Sequence, residues 1–361
     1  MTSEGHAHSA AAEPDPGARS APEDWRIYRG TGEAHDGIDR LPPPPRWRAF
    51  DGLPVVKLRL GYDNAGGRRL APADRGRSYQ VDEETIDHVN SAMYLRRPLL
   101  VTGRPGTGKS TLAYSIAYEL KLGPVLYWPI TSRSTVEDGL YRYDAVGRLQ
   151  EASLKRYEQG QGDEGVEVAD VGRYVRLGPL GTALLPQARP RVLLLDELDK
   201  SDVDLPNDLL NIFEEGAFEI PELARLPEDK PWVKVMIHDG TDRVQVERGR
   251  VMCRAFPIVI LTSNGERAFP PAFLRRCVRL EIKPPDERKL ALIIESQLGS
   301  ASMADADAVI QRFLRLRDEG DVATDQLLNA LYLTAFGQQQ SEATRDRVVE
   351  ALLRPLDNRP A

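Results

Sequence analysis

Eight consecutive residues, Gly103-Arg104-Pro105-Gly106-Thr107-Gly108-Lys109-Ser110, match the spacing G-x-x-x-x-G-K-[ST]. Glycines let the backbone curl until successive N–H groups point inward as a cradle for an anion. A predicted helix follows at once, and its N-terminal end adds partial positive charge. Lys109 is placed to reach the β- and γ-phosphates of a nucleoside triphosphate. The Ser110 hydroxyl is placed to ligate Mg²⁺, and Pro105 restricts φ and stiffens the loop. Gly103, Pro105, Gly106, Thr107, Gly108, Lys109, Ser110 and Thr111 are therefore the candidate nucleotide contacts. A chance glycine-rich turn would lack both the apolar run before the loop and the helix after it.

Three further motifs belong with that loop. In Val192-Leu193-Leu194-Leu195-Asp196-Glu197 two carboxylates close an apolar run. A carboxylate at the end of a buried strand is costly without a partner. Mg²⁺ and its water would supply one for Asp196. Glu197, next along, is placed to polarise an attacking water as general base. Ile258-Val259-Ile260-Leu261-Thr262-Ser263-Asn264 ends in a neutral amide, which can orient water beside the γ-phosphate without adding charge. Asn also commonly ends strands in turns, so Asn264 draws its weight from its place in the series. In Pro271-Ala272-Phe273-Leu274-Arg275-Arg276 an arginine presented to a neighbouring subunit would stabilise transition-state charge. The bland alternative for that pair is two solvated surface arginines.

The elements that must position these groups follow from apolar patterning. Leu99 to Val101, Val125 to Trp128, Val192 to Leu195 and Ile258 to Leu261 are short apolar runs, and Val278 to Ile282 alternates with charges. Continuous Val/Ile/Leu runs fit strands covered on both faces, as in a parallel sheet. Thr111 to Leu122 reads as a helix stopped by Gly123-Pro124. Alternating strands and helices predict a doubly wound α/β core over residues 79–285, opened by a helix carrying Val81, Ile86, Val89 and Met93. After Pro284-Pro285 the pattern is all helical: Glu287 to Leu298, Asp305 to Arg317, Thr324 to Phe336 and Glu342 to Leu353. Residues 286–361 therefore read as a small helical domain. Residues 1–24 carry too few apolar groups to offset ordering and read as a disordered tail. Residues 25–78 read as an extended arm with a Gly/Arg-rich linker from Asp63 to Arg77. The arm's aromatics suit docking on the chain's own globular part.

At 361 residues the chain is long enough for about two domains. A formal net charge of −7 argues against a nucleic-acid coat. Cys253 and Cys277 have no paired metal-ligand spacing, which fits a reducing compartment and offers no zinc site. No run approaches the ~18 apolar residues of a membrane helix, and no signal-peptide pattern opens the chain. A soluble, cytoplasmic chain with no membrane partner is the expectation.

With these residues in order, the segment from Tyr79 to the C-terminus resembles AAA+ P-loop ATPases, and within them the MoxR-like group. Gly103 to Ser110 resembles a Walker A loop, Val192 to Glu197 a Walker B strand and Asn264 a sensor 1 residue. Arg276 aligns with the family's finger arginine, with Arg275 beside it. Gly178-Pro179-Leu180 resembles the group's lead-in to Walker B. Asn207-Asp208-Leu209-Leu210 to Glu214-Glu215-Gly216 resembles its post-Walker-B helix. The resemblance implies a five-stranded parallel sheet followed by a helical lid. It also implies a homo-hexameric ring with ATP and Mg²⁺ at subunit interfaces, and chaperone-like work on a protein substrate. A partner bearing a von Willebrand factor A domain is common in the group, and some members occur in bacterial conflict systems.

The lid departs from the pattern: where a sensor 2 arginine is usual, this chain has Ala323-Thr324-Asp325-Gln326. The arm from Trp25 to Asp51 has no generic counterpart. Trp232 to Val246 alternates around Asp239-Gly240 and predicts a hairpin, at the place where such rings carry a pore-facing one. Thr131 to Asp144, with Arg133, Tyr141, Arg142 and Tyr143, has cations and aromatics suited to gripping a polypeptide. Gln159 to Gly165 reads as a surface loop. Three functions fit these features: a mechanochemical ATPase acting on a protein, an ATP-dependent assembly or signalling switch with slow turnover, and a GTP-driven nucleic-acid motor. The last rests on a superficial guanine-reading likeness in Asp199-Lys200-Ser201-Asp202. Its position directly after Walker B and the acidic balance both argue against it.

Overall fold

The computed structural model describes residues 24–58, 76–77, 79–159, 168–229, 231–298, 306–319, 322–336 and 342–353. The expected tail (residues 1–23), most of the linker (59–75) and the loop at 160–165 lie outside the described residues.

In chain order the strands are β1 (Leu99–Thr102), β2 (Leu126–Pro129), β3 (Tyr141–Tyr143), β4 (Val175–Leu177), β5 (Val192–Asp196) and β6 (Ala217–Glu219). They continue with β7 (Trp232–Met236), β8 (Arg243–Glu247), β9 (Arg250–Met252), β10 (Ile258–Ser263) and β11 (Val278–Glu281). Five of these form a parallel sheet in the order β11-β1-β10-β5-β2. All six residues of β10 and the four apolar residues of β5 are buried. That burial is what continuous apolar runs predict for strands with helices on both faces. The helix Lys109–Glu119 crosses one face and buries Leu112, Ala113 and Ile116 against it. Because all five strands run the same way, β1, β5 and β10 deliver their carboxyl ends to one edge, where α/β sheets bind ligands.

A second sheet, ordered β3-β4-β7-β8-β9-β6, packs beside the first. The predicted hairpin is present: β7 and β8 pair antiparallel from Trp232↔Glu247 to Met236↔Arg243. Its turn is tied down. Asp239 Oδ2 accepts from Arg191 Nη2 at 2.5 Å, and Arg191, 1% exposed, directly precedes β5. The segment expected to grip a polypeptide is also packed differently. Tyr141 is buried in the core shared by both sheets, and Tyr143 is partly buried with its hydroxyl accepting from Arg148 Nη1. A period-two strand turns alternate side chains inward, so only Arg142 of the three points fully outward.

The arm docks on the core as its aromatics suggest. Ile27 and Tyr28 are buried, and their N–H groups donate to Asn90 Oδ1 at 2.7 and 3.0 Å. Residues 29–32 then wrap the wholly buried carboxylate of Glu119, at the end of the helix that begins with Lys109. Arg29 N and Gly30 N donate to Oε1 at 2.6 and 3.2 Å, Thr31 N and Gly32 N to Oε2 at 2.9 and 3.3 Å. Gly30 and Gly32 sit at φ +67° and +69°. That alternation turns successive N–H groups inward into an anion nest.

Beyond Pro285 the helices Glu287–Leu298, Ala306–Glu319, Thr324–Phe336 and Glu342–Leu352 enclose their own apolar cluster, with Leu290, Ile294, Phe313, Leu327 and Leu331 buried. Among the described residues no helix is long and apolar enough to cross a membrane.

Candidate functional site

The loop after β1 is built as its glycines demand. Gly103, Gly106 and Gly108 have φ of +151°, +74° and +86°, values that L side chains rarely adopt. Each also has a neighbour where a Cβ would go: Ile282 O at 2.5 Å for Gly103, Thr324 N at 2.8 Å for Gly106 and the Tyr79 ring at 2.9 Å for Gly108. Gly108 starts the helix Lys109–Glu119 with no side-chain cap. Lys109 Nζ donates to the carbonyls of Gly103 and Arg104, both at 2.8 Å, so its ammonium lies inside the loop's curve. Burial lowers the Lys109 pKa, and the charges of Asp199, Asp196 and Glu197 oppose that shift. Thr107 Oγ1 donates to Arg104 O at 2.9 Å and braces the loop. The Thr111 N–H already donates to Gly108 O at 3.1 Å, so any contact it makes with a ligand falls to its side chain.

The register of the sheet brings the acids to this loop. Leu195 of β5 lies beside Leu261 of β10, and Ser263 beside Thr102 of β1. One residue further along, Asp196 meets the loop: Ser110 Oγ donates to its Oδ1 at 2.5 Å, and Thr262 Oγ1 donates to the same oxygen at 2.8 Å. Tyr127 OH reaches Asp196 Oδ2 at 3.3 Å. A hydroxyl and a carboxylate in contact are a hard, all-oxygen donor pair suited to Mg²⁺. Among the described residues no group of three or more His, Cys, Asp or Glu side chains could hold a metal. A cation at Asp196 and Ser110 would therefore draw its remaining ligands from phosphates and water.

Glu197 occupies a left-handed conformation at φ +61°, ψ +50°, a region that costs a non-glycine residue about 1 kcal/mol or more. Its N–H donates to Thr262 Oγ1 at 2.8 Å. The turn lifts its carboxylate out of the sheet edge, where Asn264 Nδ2 lies 3.5 Å from Oε1 and Lys200 Nζ 2.7 Å from Oε2. The hydrogen bond that Lys200 donates to Glu197 raises the Lys200 pKa. Asn264 is held in turn by Asp199, whose Oδ2 accepts from Asn264 N at 2.9 Å and Glu266 N at 3.1 Å. Asp199 and Lys200, which in sequence resemble part of a guanine-reading motif, thus tie down Asn264 and Glu197.

Arg275 and Arg276 follow the short helix Pro271–Leu274, away from these groups. Arg275 is exposed; its N–H donates to Pro271 O at 3.1 Å and its carbonyl accepts from Arg97 Nη1 at 3.1 Å. Arg276 is anchored: Nε donates to Glu214 Oε1 at 3.0 Å and Nη1 to Ala272 O at 3.2 Å. At the sensor 2 position, Ala323 and Thr324 abut Gly106. Asp325 there is exposed, and no cation stands in the segment.

The glycine-rich loop and the three strand-end groups singled out in the sequence, Asp196, Glu197 and Asn264, come together at one edge of the sheet. Sequence reasoning missed Thr262, Tyr127, Asp199 and Lys200, whose roles are fixed by contacts between strands and by a single helical turn. The apolar run ending in Thr262-Ser263-Asn264 held the one available signal, a hydroxyl pair at the sheet edge.

With the geometry in hand, one family model matches the chain: the AAA domain of the dynein-related subfamily, over residues 98–277. The span runs from the residue before β1 to the residue after Arg276 and so contains every candidate site residue. No curated protein matches the chain.

Proposed function

From the premise that residues 98–277 of this chain are an AAA+ ATPase domain, we propose that the protein is a MoxR-like ATPase. In this reading it assembles into a ring, hexameric as in its group, and hydrolyses ATP to remodel or activate a protein partner, a von Willebrand factor A domain protein among the candidates. The observation that carries the reading is the convergence of Lys109, the Ser110–Asp196 pair and the Glu197–Asn264 pair at the carboxyl edge of one parallel sheet.

Each group then has a task. The loop's N–H groups and the start of the helix neutralise the triphosphate, and Lys109 exchanges its two carbonyl partners for phosphate oxygens. Asp196 and Ser110 would hold Mg²⁺, whose charge draws electron density from the transferring phosphoryl group. Glu197 accepts a proton from water oriented by Asn264. The chain offers no cation from its own lid segment at Gly106, so charge developing on the γ-phosphate falls to Lys109 and to an arginine of a neighbouring subunit.

That last step gives the test. Lys109→Ala and Arg276→Ala subunits, each strongly impaired alone, should recover hydrolysis on mixing, because some interfaces then pair an intact loop with an intact arginine. Rings that form and stay inactive in the mixture contradict action in trans. Arg275→Ala, run in parallel, assigns the finger within the pair.

A second reading has its own support. Lys200 neutralises Glu197 at 2.7 Å, and a base held in an ion pair turns over slowly, as an ATP-occupancy switch would. Lys200→Ala distinguishes the two: a switch gains hydrolysis from it, and a motor loses coupling to its partner instead.

A further inference from the structure

Glu214 lies at the end of the helix Leu205–Glu215 and touches two arginines of opposite kind. Its Oε1 accepts from Nε of Arg276, which is about one-third exposed. Its Oε2 accepts at 3.3 Å from Nη1 of Arg48, a side chain only 5% exposed, on the arm that generic members lack.

Arg48 is fixed on every side. Nε and Nη2 donate to the carbonyl of Arg96 at 3.2 and 2.7 Å. The guanidinium lies over the ring of Phe256 at 4.8 Å and that of Phe50 at 5.5 Å, and those rings stack on each other. The corner that receives it is the one that holds the arginine pair: Arg97, next along from Arg96, donates to Arg275 O. The arm therefore reaches the arginine pair by two short routes, one through Glu214 and one through the Arg96–Arg97 corner.

The geometry points to a positioning relay: the N-terminal arm, through Arg48 and Glu214, sets the direction in which Arg276 is presented to the next subunit's nucleotide. The claim rests on the reading of Arg276 as the trans-acting arginine. The two bonds on Arg276 occupy Nε and Nη1, and Nη2 carries none among the described residues. An arginine held at Nε and Nη1 has its plane fixed, keeps Nη2 for a phosphate and loses little rotamer freedom when it meets one. Glu214 alone, 45% exposed, could swing; the buried Arg48 charge pins its second oxygen. An exposed ion pair contributes little to stability, so Glu214 should matter for rate more than for folding.

The test uses the full-length protein and Mg-ATP, with kcat, KM, melting temperature and ring assembly measured for Glu214→Gln, Arg48→Met, Arg276→Ala and their pairs. Glu214→Gln should lower kcat about tenfold, within the ~100-fold that misplacement of a reacting group by an ångström can cost. KM and assembly should hold. Combined with Arg276→Ala it should add no further loss, because Glu214 acts only through that arginine. Arg48→Met should lower kcat in the same direction and add nothing to Glu214→Gln. A rise in kcat for Glu214→Gln would mean that the carboxylate restrains the finger and would overturn the relay. So would an unchanged kcat, or a loss that adds to that of Arg276→Ala. If Arg276→Ala itself hydrolyses ATP normally, the finger assignment fails and takes the relay with it. If Arg276→Ala is inactive and Glu214→Gln is normal, the relay alone fails.

Discussion

Replacing Asp239 with alanine should destabilise the protein by about 3–5 kcal/mol, the cost of leaving one member of a buried ion pair uncompensated. Arg191 is 1% exposed, and a guanidinium buried that deeply is costly without a countercharge. Its Nη2 donates to Asp239 Oδ2 at 2.5 Å and to Pro124 O at 2.8 Å, and its Nε and Nη1 are buried with no partner among the described residues. Asp239, 17% exposed, is thus the only countercharge bonded to that guanidinium among the described residues. At roughly 2–4 °C per kcal/mol for a fold of this size, the variant should melt about 6–20 °C lower. Thermal unfolding followed by circular dichroism is the assay. The double variant Arg191→Met with Asp239→Ala should recover most of the loss, since apolar replacement of a whole buried pair is often neutral or better. A single variant within 1 kcal/mol of the parent, or a double variant no better than the single, refutes the reasoning. The outcome also bears on the hairpin. A turn bonded to the residue that leads into β5 cannot swing freely while that strand holds the two acids at its other end.

Other consequences are as direct. Glu119→Ala removes the carboxylate that gathers four arm N–H groups; charge-assisted bonds are worth about 1.5–3 kcal/mol each but do not add in full. A loss of about 3–5 kcal/mol and rapid tryptic cleavage at Arg29 and Arg40 are expected, and an arm that resists trypsin as before contradicts the nest. Burial pushes the Cys253 and Cys277 thiols up to about 12 from an ordinary 9.0, so at pH 8 about 1,000-fold less thiolate is present than in the unfolded chain. Ellman's reagent should react only on denaturation. The same shifts set a sign: with folded values raised, their contribution is complete below pH 9 and is lost as pH climbs towards 12. Tyr141→Ala should cost about 3–5 kcal/mol as a core truncation, measured by urea unfolding; a neutral result would restore it as a substrate-facing residue.

The parallel sheet was legible because burial on both faces leaves an unmistakable trace. Val192 to Leu195 and Ile258 to Leu261 are uninterrupted apolar runs, and the strands found extend those spans by one or two residues. The phosphate loop was legible because its residues are contiguous and its glycines have no other economical use. The second sheet was not, apart from its β7–β8 hairpin. Strands of three residues such as β3, β4, β6 and β9 are too short to display a period, and their pairing partners lie far away in the chain. Tyr141 was misjudged for that reason: an aromatic beside arginines reads as an exposed grip until a neighbouring strand assigns its face. The ties from Lys200 to Glu197 and Glu214 to Arg276 join ionic residues, and the nest around Glu119 joins one to backbone N–H groups. Sequence shows such charges without showing which of many they meet.

The central claim, that this chain binds ATP through Lys109 and hydrolyses it through Glu197, is tested most directly by one paired measurement. Fluorescent-ATP binding and steady-state phosphate release are recorded for the parent, Glu197→Gln and Lys109→Ala. The account predicts that Glu197→Gln binds like the parent and releases phosphate ~10²–10⁴-fold more slowly, having kept the shape of the side chain and lost the base. Lys109→Ala should lose binding itself. Near-parent ATP affinity in Lys109→Ala, or undiminished phosphate release in Glu197→Gln, would contradict it.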